Sequence, residues 1–284
     1  MTILQLLHRA TEFLLENGID DARLDAEVLL AHVLKMRRLY LYVHLELNLV
    51  DEDINAYKEL LHRRVAHVPV AQLIGNKEFM GLEFNITPDV LIPRPETEIM
   101  VQMAIEILGP IKQPITVADI GTGSGAIAVS MLHYLDNVTA DATDISKPAI
   151  AVARSNAEKF GVGNRLNLFE GNLTEPLVGR TYDAILSNPP YIPSKVIDTL
   201  QDEVREYEPS TALDGGADGL DFYRRLIEDS PKLLLKGGFL AVEIGFDQAE
   251  AVTNLARRHF REVEVVKDLS QNDRVVVAKL CRRS

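Results

Sequence analysis

The chain has 284 residues, of which 46% are hydrophobic and 25% are charged, and it carries a formal net charge of -12. This length accommodates one large domain and a smaller one. Charged residues or histidines interrupt every hydrophobic stretch before it reaches the length of a membrane span, so an integral membrane protein is not expected. The single cysteine, Cys281, excludes an intrachain disulfide and a cysteine-based metal cluster. These features favour a cytoplasmic protein.

The acidic excess is spread along the chain. The first 85 residues hold 9 Lys and Arg against 13 Asp and Glu, and the remainder hold 21 against 29. Proteins that grip a phosphate backbone usually carry an excess of basic residues somewhere, because counterion release supplies most of that affinity. We therefore expect no direct nucleic-acid binding and no membrane binding, and a protein that acts as a monomer.

Apolar residues at helical spacing predict a small all-α domain over residues 1–75. The first helix is expected to end at Gly18, and a second helix to span residues 21–36. Asp51 is expected to cap a third helix that continues to residue 65. Five of the seven histidines lie in this domain, but none is paired with another at the spacing of a zinc-binding helix, so we interpret them as ordinary helix residues.

Residues 76–95 are predicted to form a β-hairpin linker, because apolar residues alternate on both sides of Gly81. The catalytic domain is expected over residues 96–284, beginning with a helix over 96–108. From residue 115 onward, short apolar runs alternate with helical segments, as in a parallel sheet covered on both faces.

Seven strands are predicted, over residues 115–120, 138–143, 166–170, 182–187, 238–244, 261–267 and 274–280. Helices are predicted over residues 126–134, 147–160, 194–204, 219–234 and 247–259. A short turn joins the last two strands, which therefore form an antiparallel hairpin. This α/β arrangement resembles the Rossmann-like, seven-stranded fold of class I S-adenosylmethionine-dependent methyltransferases.

A glycine-rich loop at residues 121–125 follows the first strand of this sheet and precedes a helix. Its glycines let the backbone turn tightly and approach a ligand. Asp144, at the end of the second strand, is placed to accept hydrogen bonds from ribose hydroxyls. The loop also satisfies the dinucleotide pattern Gly-x-Gly-x-x-Ala, so the spacing alone does not separate a nicotinamide cofactor from S-adenosylmethionine.

The sequence Asn188-Pro189-Pro190-Tyr191 follows the fourth strand, and it decides between these cofactors because dehydrogenases have no use for it. An amide nitrogen is a poor nucleophile, since its lone pair is delocalised into the carbonyl group. The Asn188 side-chain oxygen and the Pro189 carbonyl can each accept one N–H, which aims the lone pair at a methyl donor. Tyr191 can stack on the planar target. We expect no general base and no catalytic metal.

Four segments together resemble the peptide chain release factor glutamine methyltransferases: residues 91–98, 119–125, 187–192 and 208–224. The likeness extends over nearly the whole chain, including the helical domain, the hairpin and Glu243-Ile244-Gly245 followed by Gln248. It implies methylation of the glutamine side-chain nitrogen in the Gly-Gly-Gln motif of class 1 release factors. S-adenosylmethionine would be the donor and S-adenosylhomocysteine the product.

The resemblance also implies roles for individual residues. Asn172 departs from the Asp that many relatives carry at the end of the third strand, so a contact with adenine would use its amide. Arg94, Glu96 and Thr97 either line the substrate mouth or form the capped start of a helix. Residues 208–221 are either a lid or a turn-rich surface loop. The expected cofactor-binding residues are Gly121, Thr122, Gly123, Ser124, Gly125, Asp144, Asn172, Leu173 and Asn188.

Three alternative functions are weighed against this one. A ribosomal-protein glutamine methyltransferase shares the Asn-Pro-Pro-Tyr loop, but its relatives lack the Arg-Pro-Glu-Thr-Glu run at residues 94–98. An adenine-N6 DNA methyltransferase is opposed by the lack of a basic face and of a base-reading domain. A binding module without catalysis is opposed by the intact glycine-rich loop and Asn188.

Overall fold

The computed structural model describes residues 1–280, so Cys281 lies outside the described residues. The helices are α1 (Ile3–Glu16), α2 (Ala22–Val33), α3 (Arg38–Val43), α4 (Asp51–Val65), α5 (Val70–Ile74), α6 (Pro95–Leu108), α7 (Ala126–Tyr134), α8 (Lys147–Lys159), α9 (Ser194–Ile197), α10 (Asp202–Tyr207), α11 (Asp221–Leu233) and α12 (Ala249–Ala256). The strands are β1 (Asn76–Phe79), β2 (Leu82–Asn85), β3 (Ile115–Ile120), β4 (Val138–Asp144), β5 (Leu166–Glu170), β6 (Tyr182–Ser187), β7 (Leu234–Glu243), β8 (Glu262–Lys267) and β9 (Asp273–Lys279).

The chain forms two compact units. The first contains Met1–Asn76 together with Gln201–Tyr207, and the second contains Lys77–Leu200 and the residues from Glu208 onward. The first unit is therefore all-helical, with α1 to α5 and α10. The sequence does not indicate that α10, far along the chain, belongs to it.

Local signals set the helix ends of the first unit. Thr2 caps α1 through a reciprocal capping box with Gln5. Gly18, at φ 78°, terminates α1 as predicted. The prediction that Asp51 is an N-cap is wrong: Val50 is the N-cap, and Asp51 is the first helical residue with no capping hydrogen bond from its side chain. Its carboxylate instead lies in the acidic first turn, where it interacts favourably with the positive end of the helix dipole.

Buried ionic contacts attach α10 to the other helices of this unit. The guanidinium of Arg64, 5% exposed, lies 2.7 Å from the Asp25 carboxylate and 2.5 Å from that of Glu203. Tyr207 donates a hydrogen bond to the Ala66 carbonyl. The single helix predicted over residues 194–204 is therefore wrong, because the chain forms α9, breaks, and continues as α10 in the first unit.

The second unit is built on a seven-stranded sheet in the order β5-β4-β3-β6-β7-β9-β8. The first five strands are parallel, whereas β9 runs antiparallel to both β7 and β8. This confirms the predicted α/β fold with its terminal antiparallel hairpin. β7 begins four residues earlier than predicted, at Leu234. β3, β5 and β6 have the predicted bounds. Five of the six residues in each of β3 and β6 are buried, and such strands are marked in the sequence by runs of apolar residues.

The predicted hairpin is present as the two-stranded sheet β1-β2. Met80 and Gly81 connect its strands with φ values of 52° and 70°, and two positive φ values are typical of the turn that matches strand twist in a two-residue hairpin. Across residues 1–280, no helix is both long enough and apolar enough to cross a bilayer.

Candidate active site

Three neighbouring parallel strands end at the same edge of the sheet. Ile120 at the end of β3 pairs with Thr143 of β4 on one side and with Ser187 of β6 on the other. The strand order reverses between β3 and β6, and ligands of open α/β sheets bind at such a reversal. The glycine-rich loop after β3 and the Asn-Pro-Pro-Tyr loop after β6 consequently start side by side.

Space is open above the first part of the glycine-rich loop. Gly121, Gly123 and Gly125 all have positive φ, and a Cβ atom added to either of the first two would meet nothing within 4 Å. At Gly125, a Cβ atom would lie 3.2 Å from the Ala153 Cα, so this glycine allows close packing of α8. The buried side chains of Thr122 and Ser124 face away from solvent.

Two carboxylates flank this loop. Asp144 accepts hydrogen bonds from the backbone N–H groups of Gly123, at 2.9 Å, and Ser146, at 2.8 Å. These bonds oppose the rise in the pKa of Asp144 that its burial causes. They leave lone pairs on both oxygens, which remain available to ribose hydroxyls.

Asp119, at the buried end of β3, was not identified as a ligand from the sequence. Its Oδ2 atom accepts hydrogen bonds from the Thr122 hydroxyl and the Ala128 N–H. Its Oδ1 atom is buried without a hydrogen-bond partner among the described residues, and burial raises the pKa of this carboxyl to about 6. The sequence signal that could have identified Asp119 is a charged residue near the C-terminal end of an otherwise mainly apolar strand.

The Asn-Pro-Pro-Tyr loop is held from both ends. Ser187 donates a hydrogen bond to the Ile120 carbonyl at 2.7 Å, and Asn188 donates from Nδ2 to the Thr97 hydroxyl oxygen at 3.0 Å. The Tyr191 ring is half-buried against the core of this unit, and burial raises its pKa to about 12. Its carbonyl accepts a hydrogen bond from Gln248 Nε2 at 2.9 Å.

Residues 208–221 lie directly against this loop. Ile192 donates its N–H to the Leu213 carbonyl, and Gly215 donates its N–H back to the Ile192 carbonyl at 2.8 Å. A Cβ atom at Gly215 would lie 2.7 Å from the Tyr191 Cα. In this structure the segment is therefore a support of the Asn-Pro-Pro-Tyr loop, attached by backbone hydrogen bonds.

The remaining candidates from the sequence differ in their surroundings. The Asn172 amide contacts Glu175 and Arg225, each at 3.1 Å, so an adenine contact from this amide would replace those bonds. Leu173, at φ 51°, packs partly against the core. The last three candidates, Arg94, Glu96 and Thr97, lie at the start of α6. Arg94 pairs with buried Glu208, and Glu96 is exposed. Thr97 is buried next to Asn188.

The sheet order and the glycine-rich loop at its switch point define a class I methyltransferase. Family models agree: one described as the PrmC N-terminal domain matches residues 5–75, and one described as the methyltransferase small domain matches residues 101–204. The N-terminal domain of human METTL16, solved in complex with SAH, has a TM-score of 0.53 and is 18% identical. That match covers 80% of this chain and 84% of the human one, and it shows the shared fold.

Full-length relatives identify the family. The release factor glutamine methyltransferase of Moorella thermoacetica is 44% identical over 280 residues, covering 98% of each chain. That of Geobacter sulfurreducens is 43% identical over 280 residues, covering 98% of this chain and 97% of the relative. The chain belongs to the release factor glutamine methyltransferases. It uses S-adenosylmethionine to methylate the glutamine side-chain amide in the Gly-Gly-Gln motif of class 1 release factors, and so modulates translation termination.

Proposed function

We propose that Asn188, Pro189 and Tyr191 hold the target glutamine amide while residues of the neighbouring strand ends hold S-adenosylmethionine. The observation that carries this proposal is the pairing of Ile120 with Ser187. It starts the glycine-rich loop and the Asn-Pro-Pro-Tyr loop on adjacent strands. A methyl donor on one loop then lies next to a methyl acceptor on the other.

The cofactor site fits S-adenosylmethionine on two grounds. The open space above Gly121 and Gly123 admits a ligand against the backbone, and Asp144 offers carboxylate lone pairs to ribose hydroxyls. The buried Oδ1 atom of Asp119 suits the cationic amino-acid end of the cofactor, because a charged partner satisfies a buried carboxylate. We assign adenine to the region of Asn172 and Leu173.

When bound, S-adenosylmethionine supplies an electrophilic methyl group. The Asn188 Oδ1 atom and the Pro189 carbonyl each accept one N–H of the glutamine amide, which directs the nitrogen lone pair at that methyl group. Pro190 stiffens the loop, and the half-buried Tyr191 ring covers the planar amide. The methylated nitrogen is strongly acidic and releases its proton afterwards, so no residue has to act as a general base.

We further propose a cytoplasmic monomer that binds its release factor without contacting nucleic acid, with Arg94, Glu96 and Pro190 on the side that meets the protein substrate. The net charge of -12, with acidic excess in both parts of the chain, supports the choice of a protein partner over a phosphate backbone.

The Asn188→Ala variant tests the proposed role of this side chain. It removes an acceptor that acts in the transition state, so we expect kcat for a release factor to fall about 10²- to 10³-fold. Affinity for S-adenosylhomocysteine, measured by calorimetric titration, should persist. Asn254→Ala, on the exposed face of α12, is the matched control and should leave both quantities unchanged. Normal turnover by Asn188→Ala would refute the assignment.

A further inference from the structure

A short chain of hydrogen bonds runs from Asn188 into the protein interior. Asn188 donates from Nδ2 to the Thr97 Oγ1 atom at 3.0 Å, and the Thr97 hydroxyl donates to the Glu243 Oε2 atom at 2.5 Å. Thr97 is 4% exposed and Glu243 is 1% exposed. Because both groups are shielded from water, solvent does not compete for these bonds.

The three residues come from separate elements of the second unit. Asn188 follows β6, Glu243 ends the adjacent strand β7, and Thr97 lies in the first turn of α6. The pairing of Ser187 with Val242 brings the next residues of these two strands, Asn188 and Glu243, to the same edge of the sheet. Thr97 connects their side chains.

The donor and acceptor groups of the three side chains give this chain of hydrogen bonds a direction. An ionised carboxylate only accepts hydrogen bonds, so the Thr97 hydrogen is committed to Glu243. The Thr97 oxygen can then only accept, and the group of Asn188 that faces it must be the NH₂ group. The Asn188 oxygen is left pointing away from Thr97. The donor and acceptor groups of the three side chains allow only this orientation of the amide while Glu243 is ionised.

We propose that Thr97 and Glu243 are positioning residues for catalysis: they fix the Asn188 amide in the one orientation that presents its oxygen to the substrate N–H. The proposal rests on the role assigned above to Asn188. We call the chain of hydrogen bonds from Asn188 through Thr97 to Glu243 the relay. Without the relay, the side-chain amide of Asn188 could rotate by half a turn and present its NH₂ group to the NH₂ group of the target, so that two donors would face each other. Burial of an acceptor carboxylate behind Asn188 removes that alternative.

The raised pKa of Glu243 indicates that this carboxyl group does not serve to stabilise the fold. Burial raises its pKa from 4.5 to about 7, and the Thr97 hydrogen bond and the charge of Arg274 only partly oppose this rise. An ionised carboxylate here therefore costs folding free energy. A glutamine at position 243 would fill the same volume without this loss of folding free energy. Its amide could donate as well as accept, however, so it would not fix the direction of the hydrogen bonds from Asn188 through Thr97.

The Thr97→Val variant tests the relay, because valine has the shape of threonine without its hydroxyl group. We expect kcat for a release factor to fall about 10- to 100-fold, the range of one unsatisfied buried polar group. The affinity for S-adenosylhomocysteine should not change. Thr97→Ser, which restores the hydroxyl, should recover most of kcat. Thr253→Val, at another buried threonine of the same unit, is the matched control and should retain kcat.

A double-mutant cycle separates this inference from the proposed function. In the Asn188→Ala background, Thr97→Val should cause no further loss, because Thr97 acts only through Asn188. Equal losses in both backgrounds would overturn the relay while leaving the role of Asn188 intact. Full activity of Asn188→Ala itself would instead overturn the proposed function.

Glu243→Gln provides an independent variant that removes a buried charge and should fold at least as stably as the parent protein at pH 8. We expect its kcat at pH 8 to be about 10-fold lower, with the affinity for S-adenosylhomocysteine unchanged. Parental kcat for this variant, or for a folded Thr97→Val, would contradict the proposal. Should Thr97→Val fail to fold, the result for Glu243→Gln decides.

Discussion

At the scale of single residues, the site depends on which atom of a side chain faces which neighbour. Asn188 has one donor group and one acceptor atom at almost equal distances from its backbone, and the contact with Thr97 distinguishes them. Asp119 similarly uses one oxygen for the loop and keeps the other without a partner among residues 1–280. Buried polar groups with one satisfied side are well suited to hold a ligand on the other.

The titration of Glu243 predicts a pH dependence of methyl transfer. The carboxyl must be ionised to act as an obligate acceptor, and burial raises its pKa to about 7. With saturating cofactor and release factor, we expect kcat to be about 10-fold lower at pH 6 than at pH 8, since roughly a tenth of the molecules are ionised one unit below the pKa. The titratable and charged groups around Glu243 are Arg94, Glu96, Tyr191, Tyr223 and Arg274.

Glu243→Gln is the control for this profile and should show no such dependence between pH 6 and 8. Stability should move in the opposite direction. Between pH 4.5 and 7 the folded protein retains a proton that the unfolded chain has lost, so stability falls as the pH rises through this window. A parental profile that is flat between pH 6 and 8 would show that ionisation of Glu243 does not control transfer.

At the scale of elements, the Asn-Pro-Pro-Tyr loop is positioned by β6 on one side and by residues 208–221 on the other. The second support requires a residue without a side chain at position 215. A Cβ atom there would lie 2.7 Å from the Tyr191 Cα and 2.9 Å from the Pro190 carbonyl oxygen. Both are backbone atoms, so the loop itself would have to move.

Gly215→Ala should therefore reduce kcat about 10- to 100-fold, because displacements of about an ångström at a reacting group have effects of this size. Steady-state kinetics with a release factor measures the change. Gly163→Ala is the matched control: its added Cβ atom would have no neighbour closer than 3.8 Å, so activity should be retained. Equal activity of the two variants would show that the loop accommodates the methyl group and that this support is not required.

The sequence predicted elements best where a local pattern determines them. Buried parallel strands such as β3 and β6 appear as mainly apolar runs, and Gly18 and Gly81 mark chain reversals that favour positive φ. The break between α9 and α10 was not predicted, because it depends on tertiary contacts of Glu203 with a buried arginine 139 residues earlier. Helical propensity gives no sign of such a contact.

In the candidate site too, the features set by local motifs could be predicted from the sequence, whereas those set by tertiary contacts could not. The order of strands and motifs alone places the glycine-rich loop and the Asn-Pro-Pro-Tyr loop at one edge of the sheet, together with Asp144 at the end of the neighbouring strand β4. The hydrogen bond from Thr97 to Glu243 joins residues 146 positions apart, and no local pattern in the sequence indicates that these two side chains meet. Pairings of this kind become visible only when packing brings the elements together.

At the scale of the whole molecule, an all-helical unit and a methyltransferase unit share one chain, and the chain passes from the second unit into the first and back between residues 200 and 208. This excursion begins shortly after the Asn-Pro-Pro-Tyr loop and ends at Glu208, which pairs with Arg94. The acidic excess is present both in the first 85 residues and in the remainder of the chain, and it favours a protein over a nucleic acid as the methyl acceptor.

The most direct test of this account is to map the transferred methyl group. Purified protein is incubated with isotopically labelled S-adenosylmethionine and an equimolar mixture of a class 1 release factor and unmethylated double-stranded DNA, and the products are analysed by tandem mass spectrometry. The account predicts a single label on the side-chain nitrogen of the glutamine in the Gly-Gly-Gln motif. Label on adenine, or on any other release-factor residue, would contradict it.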